Sequence, residues 1–390
     1  MLYRENKKTG EKLSILGLGC MRFPKKGGKI DQEYAERIMS SAVEAGVNYF
    51  DTAYIYSGSE VCVGEFLSKG YRDKVKIATK LPHYMIKTPG DMDKFFDEQK
   101  RRLQTDHVEY YLIHMLNDAA TWKRLEELGI CEWIAAKKEC GEILNIGFSF
   151  HGGAAEFIPL VDAYDWDFCQ IQYNYMDEST QAGKRGLEYA YGKDIPVIIM
   201  EPLRGGRLVN NLPKKAASEF ERTDKSPAEW GLRWIWNHRE ATVILSGMSD
   251  LAQVEENVRI ASDAGEGHLS EEELALIARV RDAINAAIKI PCTGCGYCMP
   301  CPAGVDIPVC FSAYNLKYTD GQFLARKNYF MCAGAKTNPT VASKCIGCGK
   351  CEKHCPQSIK IRDGLKAVKR ELEGPLTRAG MKVARKFLKF

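Results

Sequence analysis

The sequence predicts an α/β protein in which a closed (β/α)₈ barrel, the TIM barrel, is followed by a small, mainly α-helical, cysteine-rich domain. From the N-terminus to about residue 290, eight short apolar runs alternate with longer amphipathic stretches. After that point the composition changes abruptly to Cys, Gly and Pro. We therefore place a boundary near Ile290 and expect domains at 1–290 and 291–365, with a basic C-terminal helix or tail at 366–390.

The eight apolar runs have the length and composition of strands buried in a parallel sheet. In chain order they are SILGLGCM, VNYFDTAY, VKIATKL, YYLIHML, ILNIGFSF, FCQIQYN, IPVIIMEPL and TVILSGM. Stretches between them, such as DQEYAERIMSSAVEAG and DKFFDEQKRRLQ, have apolar residues spaced near 3.6, which indicates helices outside the sheet. Eight such alternations favour a closed barrel. The alternative, an open doubly wound sheet, needs a GxGxxG loop that LGLGCM does not supply.

Composition narrows the classes of partner and location. The 55 Lys and Arg against 51 Asp and Glu give a net charge of +4, too small a bias to indicate a nucleic-acid partner. The sequence contains no apolar run of about 18 residues and its start lacks the apolar core of a signal peptide, so we expect a cytoplasmic protein without a transmembrane segment. Cytosolic thiols stay reduced, so fifteen cysteines indicate metal or redox chemistry rather than disulfides.

Eight of those cysteines form two motifs near the C-terminus. The first, CTGCGYCMPCP, contains Cys292, Cys295, Cys298 and Cys301, and the second, CIGCGKCEKHCP, contains Cys345, Cys348, Cys351 and Cys355. In two-cluster ferredoxins the fourth cysteine, which precedes Pro, usually ligates the other cluster.

We therefore expect two [4Fe-4S] clusters with crossed ligation. The first takes Cys292, Cys295, Cys298 and Cys355, and the second takes Cys345, Cys348, Cys351 and Cys301. Only two residues separate Cys298 from Cys301, where three separate Cys351 from Cys355, which leaves the ligation of Cys301 open. The alternative is a structural zinc site. Such a site uses four thiolates, and its paired CxxC elements rarely carry a third and a fourth Cys followed by Pro. The helical-looking spacer between the motifs makes this domain resemble the α-helical ferredoxins.

Polar or reactive residues recur where the predicted strands end. In a (β/α)₈ barrel the loops after the strands build the active site, so these residues are the first candidates for chemistry. They are Asp51, Lys80, His114, Ser149, Gln172, Glu201 and Ser246.

The segments DTAYIYSGSE, ATK and LIHML are similar to the segments that carry the Asp, Tyr, Lys and His tetrad of the aldo-keto reductases. The resemblance runs from about Leu13 to Ile290 and implies reduction of a small carbonyl substrate by hydride from a nicotinamide. Such a reaction produces an alkoxide and needs a proton donor. The resemblance implies that Tyr56 is this donor, that Lys80 lowers its pKa, that Asp51 holds Lys80, and that His114 orients the carbonyl oxygen.

The resemblance also implies cofactor contacts. Ser149 and Gln172 match positions that bind the nicotinamide carboxamide, and Glu256 with Asn257 resembles the segment that contacts adenine. Further contacts are expected from Met200, Glu201, Leu203, Arg204, Gly206, Ser246, Gly247 and Gln253. Because Gly247, Met248 and Gln253 stand where Lys, Ser and Arg often grip the 2′-phosphate of NADPH, the cofactor is open between NADPH, NADH and FMN. Arg204 could instead contact a pyrophosphate or flavin phosphate.

Three functions follow from combining the two halves. Clusters pass single electrons whereas nicotinamide delivers a hydride, so coupling them needs a flavin or a radical-tolerant substrate. The first hypothesis is an iron–sulfur carbonyl reductase whose clusters exchange electrons with a ferredoxin or flavodoxin. The second is an electron-transfer oxidoreductase that binds FMN in the barrel. The third is a non-catalytic redox module.

Overall fold

A computed structural model of the chain describes residues 1–152, 154–178, 181–292, 294, 296–319, 321–334 and 339–387. The chain divides into two compact units. The first combines Met1–Gly205 with Ala228–Leu274, and the second combines Gly206–Pro227 with Ala275–Phe390.

The described residues form twelve strands. In chain order these are β1 (Tyr3–Glu5), β2 (Lys12–Ser14), β3 (Leu16–Gly19), β4 (Lys25–Lys26), β5 (Lys29–Ile30), β6 (Tyr49–Asp51), β7 (Lys76–Leu81), β8 (Val108–Ile113), β9 (Ile143–Phe150), β10 (Phe168–Gln172), β11 (Val197–Met200) and β12 (Ala241–Ser246).

Eight of these strands close into a parallel barrel in the order β3-β6-β7-β8-β9-β10-β11-β12, within the part of the chain that the structure describes. The barrel closes where Ile244 of β12 pairs with Leu16 of β3. Each barrel strand coincides with one of the eight predicted apolar runs, although β8 begins two residues and β12 one residue before its run, so the predicted (β/α)₈ fold is confirmed. The runs are nearly continuous in apolar character because such strands are covered on one face by the barrel core and on the other by helices.

Aromatic rings fill the barrel interior. The Tyr110 ring centroid lies 5.1 Å from that of Tyr49 and 5.0 Å from that of Phe168, and all three side chains are fully buried. Gly17 of β3 faces this core, where an added Cβ would lie 2.9 Å from side-chain atoms of both Val243 and Leu245. A side chain at this position would therefore displace the packed interior that holds the strands in register.

The described residues also form seventeen α-helices. They are α1 (Gln32–Glu44), α2 (Ser59–Leu67), α3 (Gly90–Leu103), α4 (Ala119–Glu127), α5 (Ile130–Glu139), α6 (Ala154–Asp162), α7 (Gly183–Gly192), α8 (Arg207–Asn210), α9 (Lys214–Phe220), α10 (Pro227–Trp236), α11 (Leu251–Ala261), α12 (Glu271–Ala287), α13 (Ile307–Thr319), α14 (Gln322–Tyr329), α15 (Lys350–Lys353), α16 (Ile361–Leu372) and α17 (Pro375–Phe387). Taken one by one, none of the helices in these residues has the length and apolar character that crossing a membrane requires.

Local sequence explains where several of these helices begin. Asp31, Asp118 and Asp250 are the N-cap residues of α1, α4 and α11, and each side chain accepts a hydrogen bond from a backbone N–H in the first turn. Such caps satisfy donors that the helix leaves unpaired. The buried residues of α1 are Ala35, Ile38, Met39 and Ala42, the spacing of one helical face.

The second unit has its own apolar core. Helix α16 contributes one face to it, through Ile361, Leu365, Val368 and Leu372. Six of the motif cysteines are partly buried and pack against this core: Cys292, Cys298, Cys301, Cys345, Cys351 and Cys355. Cys310, outside both motifs, is fully buried there, and burial raises the pKa of its thiol to about 12. Its thiol is therefore a packed side chain, as expected of a free cysteine in a core.

Candidate active site and cluster-binding cysteines

The four tetrad residues converge at the carboxyl ends of neighbouring strands. Asp51 is the last residue of β6, Lys80 lies near the end of β7, and His114 directly follows β8. The Lys80 Nζ donates to Asp51 Oδ1 at 2.6 Å and to the Thr52 carbonyl oxygen at 2.8 Å. Tyr56, in the turn after β6, brings its ring centroid to 5.0 Å from Lys80 Nζ.

The Asp51–Lys80 ion pair is almost completely buried. The exposed fractions of the two side chains are 6% for Asp51 and 1% for Lys80. Burial by itself lowers the pKa of Lys80, but the negative charge of Asp51 and hydrogen bonds to Asp51 and Tyr56 hold it above its ordinary value. Lys80 is therefore a permanent cation at neutral pH.

The pKa of Tyr56 shifts in the direction opposite to the one expected from the sequence. Burial raises the pKa of Tyr56 above its ordinary value and outweighs the lowering effect of the Lys80 ammonium; Asp51 acts in the same direction as burial. The sequence-based expectation of a lowered pKa is therefore not met in this structure. A protonated phenol beside a fixed cation is nevertheless the form required of a proton donor.

His114 is a neutral imidazole. Burial, followed by the positive charge of Lys80, lowers the pKa of His114 to about 2. Its ring lies edge-on to the Tyr56 ring, with 6.0 Å between centroids and an angle of 86°. Among the described residues its buried Nδ1 has no hydrogen-bond partner. A neutral imidazole has one N–H to donate and one lone pair to accept, so this ring can still engage a ligand.

A glutamine that the sequence analysis missed completes the support of Asp51. Gln170 of β10 is buried, and its Nε2 donates to Asp51 Oδ2 at 2.8 Å. Gln170 and Gln172 are two positions apart in the strand, so their side chains point to the same face of the sheet. This spacing is the signal in the sequence that indicates Gln170, whereas Gln172 is predicted from its place at the strand end.

Gln172 belongs to a different constellation. Its Nε2 donates at 2.8 Å to Asp177, which is fully buried in the loop after β10. Arg204 donates from Nε to Asp177 Oδ2 at 2.9 Å and from a second nitrogen to Oδ1. Burial alone would raise the pKa of Asp177, but Arg204 and the amides of Gln172 and Asn174 hold it below its ordinary value. The Arg204 guanidinium, for which the sequence suggested a contact to a phosphate, therefore pairs with the carboxylate of Asp177. The sequence analysis did not identify Asp177 as its acceptor.

Three of the predicted cofactor residues accept hydrogen bonds from residues in the loops and helices that follow the barrel strands. Ser149 Oγ accepts from the Met115 backbone N–H at 2.8 Å, and Ser246 Oγ accepts from Asn257 Nδ2 at 3.0 Å. Gln253 accepts from the Ser249 backbone N–H at 2.9 Å.

The remaining predicted cofactor residues lie in the loops and helices after the last strands. Met200 ends β11 and packs against the barrel core. Glu201 follows it, and its carbonyl oxygen accepts from Asn174 at 3.0 Å. The others are Leu203 in the same loop, Gly206 directly before α8, Gly247 directly after β12, and Glu256 on α11.

The motif cysteines fall into two neighbourhoods within the second unit. Cys292, Cys298 and Cys355 line one cavity together with apolar side chains such as Ile307 and Phe311. Cys295 lies outside the described residues. The first motif is therefore joined by the last cysteine of the second motif.

The second neighbourhood contains Cys301, Cys345 and Cys351. All three pack against the core of the second unit; burial raises the pKa of the Cys351 thiol, and the charges of Glu352, Cys301 and Cys345 act in the same direction. Cys348, in the same loop, is exposed. Gly347 and Gly349 adopt φ angles of 73° and 74°, which a glycine reaches without strain and which turn the loop around the thiols.

Comparison with known proteins agrees with this architecture. The model of the aldo/keto reductase family matches residues 15–282, and that of the 4Fe-4S dicluster domain matches residues 291–359. The uncharacterized oxidoreductase YrpG of Bacillus subtilis is 29% identical over 224 residues, which cover 52% of this chain and 66% of that protein. The L-galactose dehydrogenase of Arabidopsis thaliana is 25% identical over 306 residues, covering 71% and 93% respectively.

One further relative and one solved structure are also similar to this chain. The methylglyoxal reductase YeaE of Escherichia coli is 27% identical over 258 residues, covering 63% of this chain and 84% of that protein. The solved structure of the aldo-keto reductase AKR11C1 from Bacillus halodurans, in its holo form, is similar with a TM-score of 0.59 and 24% identity, and covers 72% of this chain and 96% of that one. Since the first family model spans more than half of the chain, this protein belongs to the aldo/keto reductase family and is an oxidoreductase with a C-terminal 4Fe-4S dicluster domain.

Proposed function

We propose that this enzyme reduces the carbonyl group of a small aldehyde or ketone with a hydride from nicotinamide, and that Tyr56 is the proton donor. The observation that carries the proposal is the buried Asp51–Lys80 pair beside a protonated Tyr56 and a neutral His114. The names of two relatives, a methylglyoxal reductase and an L-galactose dehydrogenase, are consistent with a small oxygenated substrate.

The roles follow from the contacts. A bound nicotinamide would supply the hydride. As negative charge develops on the carbonyl oxygen, the phenol of Tyr56 gives up its proton, and the Lys80 ammonium stabilises the phenolate that remains. Asp51, held by Gln170, fixes that ammonium in place. The neutral ring of His114 donates an N–H to the carbonyl oxygen and orients it.

Replacement of the Tyr56 hydroxyl tests this role. Tyr56→Phe should lower kcat/KM for aldehyde reduction by about 10²–10⁴-fold, the usual contribution of a general acid. Nicotinamide affinity, followed by quenching of tryptophan fluorescence, should stay within twofold, about the error of such a titration. Tyr54→Phe is the matched control, because the Tyr54 ring packs edge-on to Phe95 at 5.0 Å, under Arg102. Wild-type turnover in Tyr56→Phe would refute the assignment.

We also propose that the second unit holds two [4Fe-4S] clusters. The first uses Cys292, Cys295, Cys298 and Cys355, and the second uses Cys301, Cys345, Cys348 and Cys351. The shared cavity of Cys292, Cys298 and Cys355, and the electrostatic effect of Cys301 and Cys345 on the Cys351 thiol, support this crossed ligation. The clusters would exchange single electrons with a ferredoxin or flavodoxin.

The second candidate is an FMN-dependent reaction in the same barrel. It is favoured by the segment after β12, where Gly247 has no side chain, Met248 is buried and Gln253 is engaged with Ser249. That segment contains no Lys or Arg that could bind the 2′-phosphate of NADPH. This favours NADH or FMN over NADPH. Absorbance of the cofactor released by acid decides, because a flavin absorbs visible light and a nicotinamide does not.

A further inference from the structure

Charge is distributed unevenly between the two cysteine motifs. Residues 291–305, which contain the whole first motif, include no Asp, Glu, Lys or Arg. Residues 344–370, which contain the second motif and most of α16, include eight Lys and Arg but only two Asp and Glu. The excess of six positive charges there exceeds the +4 of the entire chain. The basic character of the protein is therefore concentrated at the second motif.

The basic side chains lie against the second motif in space. An open surface pocket is lined by Cys345 and Gly347 and by Arg362, Lys366 and Lys369 of α16. These three positions of α16 are spaced four and three residues apart, so they share one exposed face of the helix, while its apolar face is buried in the core. Asp363 pairs with Lys366 at 3.0 Å and Glu352 pairs with Arg362 at 2.8 Å, so these two carboxylates offset part of this charge, whereas Lys369 is exposed on the same face.

The loop of the second motif adds an apolar contact to this basic surface. Ile346, between Cys345 and Gly347, is 71% exposed, and Cys348 is exposed as well. By contrast, the lining of the cavity of Cys292, Cys298 and Cys355 includes buried apolar side chains such as Ile307 and Phe311, and none of its described lining residues is charged. Among the described motif cysteines, Cys348 is the exposed one, so its thiol is the one that a partner can approach directly.

We propose that Ile346, Cys348, Arg362, Lys366 and Lys369 form a docking face for a small, acidic, one-electron carrier protein. This rests on the proposed electron exchange through the cluster of the second motif, and adds the face and the chemistry of the partner. Opposite charges steer the two proteins together and set their orientation, while the exposed Ile346 provides the apolar centre of a short-lived contact. One electron then passes between the reduced carrier and the oxidised cluster, and no bond forms or breaks.

The test measures binding rather than turnover. Oxidised flavodoxin, a small acidic FMN protein, is titrated into the anaerobically purified, cluster-loaded full chain in a calorimeter. The dissociation constant should rise steeply when ionic strength is increased from about 0.05 M to about 0.5 M. Reversing two charges, as in the double variant Lys366→Glu, Lys369→Glu, should raise it at least about tenfold at low salt.

The matched control carries the same charge change elsewhere in the second unit. Lys214 and Lys215 of α9 are both exposed, and the double variant Lys214→Glu, Lys215→Glu should bind flavodoxin as the wild type does. Equal weakening in both variants, or none in the α16 variant, would overturn the proposal. So would a wild type that binds vesicles of anionic phospholipid but not flavodoxin.

Failure of the proposed reaction is recognised separately. Tyr56→Phe should lose carbonyl reduction and keep its flavodoxin affinity. A wild type without carbonyl turnover but with binding that is lost in the α16 variant would refute the reaction and leave the docking face in place.

Discussion

Breaking the Asp51–Lys80 pair should destabilise the barrel strongly. In Lys80→Met the Asp51 carboxylate stays buried and, of its hydrogen bonds within the described part of the chain, keeps the one from Gln170, whose length is 2.8 Å. In Asp51→Asn the Lys80 ammonium stays buried and keeps the Thr52 carbonyl oxygen at 2.8 Å. Removal of one partner of a buried pair typically costs about 3–5 kcal/mol, and we expect that loss in the free energy of unfolding of each variant.

The double variant separates the charge from the packing. With Asp51→Asn and Lys80→Met combined, no uncompensated charge remains, so the loss should be smaller than the sum of the two single losses by about 1–3 kcal/mol. Lys184→Met is the matched control, because Lys184 and its partner Glu188 are 55% and 54% exposed and their charged atoms are 3.9 Å apart. This control should change the free energy of unfolding by less than about 0.5 kcal/mol.

Urea unfolding followed by tryptophan fluorescence is the appropriate assay. All six tryptophans lie at positions 122–236 within the barrel unit, so their emission reports barrel unfolding. The folded pKa of Lys80 is raised above 10.5, so the stabilisation is fully present below that pH and lost as pH rises through the folded pKa. The gap between wild type and Lys80→Met should therefore be constant from about pH 6 to about pH 9. Single variants that unfold at the wild-type midpoint would refute the account of a buried, mutually dependent pair.

Three further predictions follow from the site. His114 has a pKa lowered from 6.5 to about 2, so the unfolded state binds a proton that the folded state does not; this residue alone should cost up to about 1.4 kcal/mol per pH unit below about pH 5.5, and His114→Gln should reduce the pH slope of the urea midpoints by that share. The pKa values of His83, His151 and His238 are lowered as well, so part of the slope should remain. Gln170→Leu removes a hydrogen bond to the charged Asp51 and should cost about 1.5–3 kcal/mol by urea unfolding, and an unchanged midpoint would contradict the observed contact. Cys301→Ser should remove about half of the iron per chain, because crossed ligation assigns it to the cluster of the second motif alone; full iron content by colorimetric assay would exclude Cys301 as a ligand.

Much of the fold follows from local patterns. The eight apolar runs predict the barrel strands because a strand covered on both faces needs an apolar residue at nearly every position, and this requirement is visible within five or six residues. The family resemblance was equally local, since Asp51 and Tyr56 lie in one short segment, Lys80 lies near the end of one strand and His114 directly follows another. Parallel strands place these ends on one rim, so their convergence could be expected before any coordinates.

The hydrogen-bond and ion-pair partners of the site residues could not be predicted from local sequence patterns. The hydrogen bond from Gln170 to Asp51 joins residues 119 positions apart, and the Asp177–Arg204 pair joins two loops 27 positions apart. Nothing in a segment around Arg204 indicates whether its guanidinium meets a phosphate or a carboxylate. The answer depends on which neighbouring loop supplies a buried acceptor, and that is a property of the closed barrel.

By itself, the sequence determined the order of the eight barrel strands, the candidate tetrad residues and the two cysteine motifs, because each depends on residues that are close along the chain. Only the tertiary structure decided the electrostatics, including the direction in which the pKa of Tyr56 shifts and the engagement of Arg204. The physical reason is that desolvation depends on every atom packed around a group, and those atoms come from strands and loops that the sequence keeps far apart.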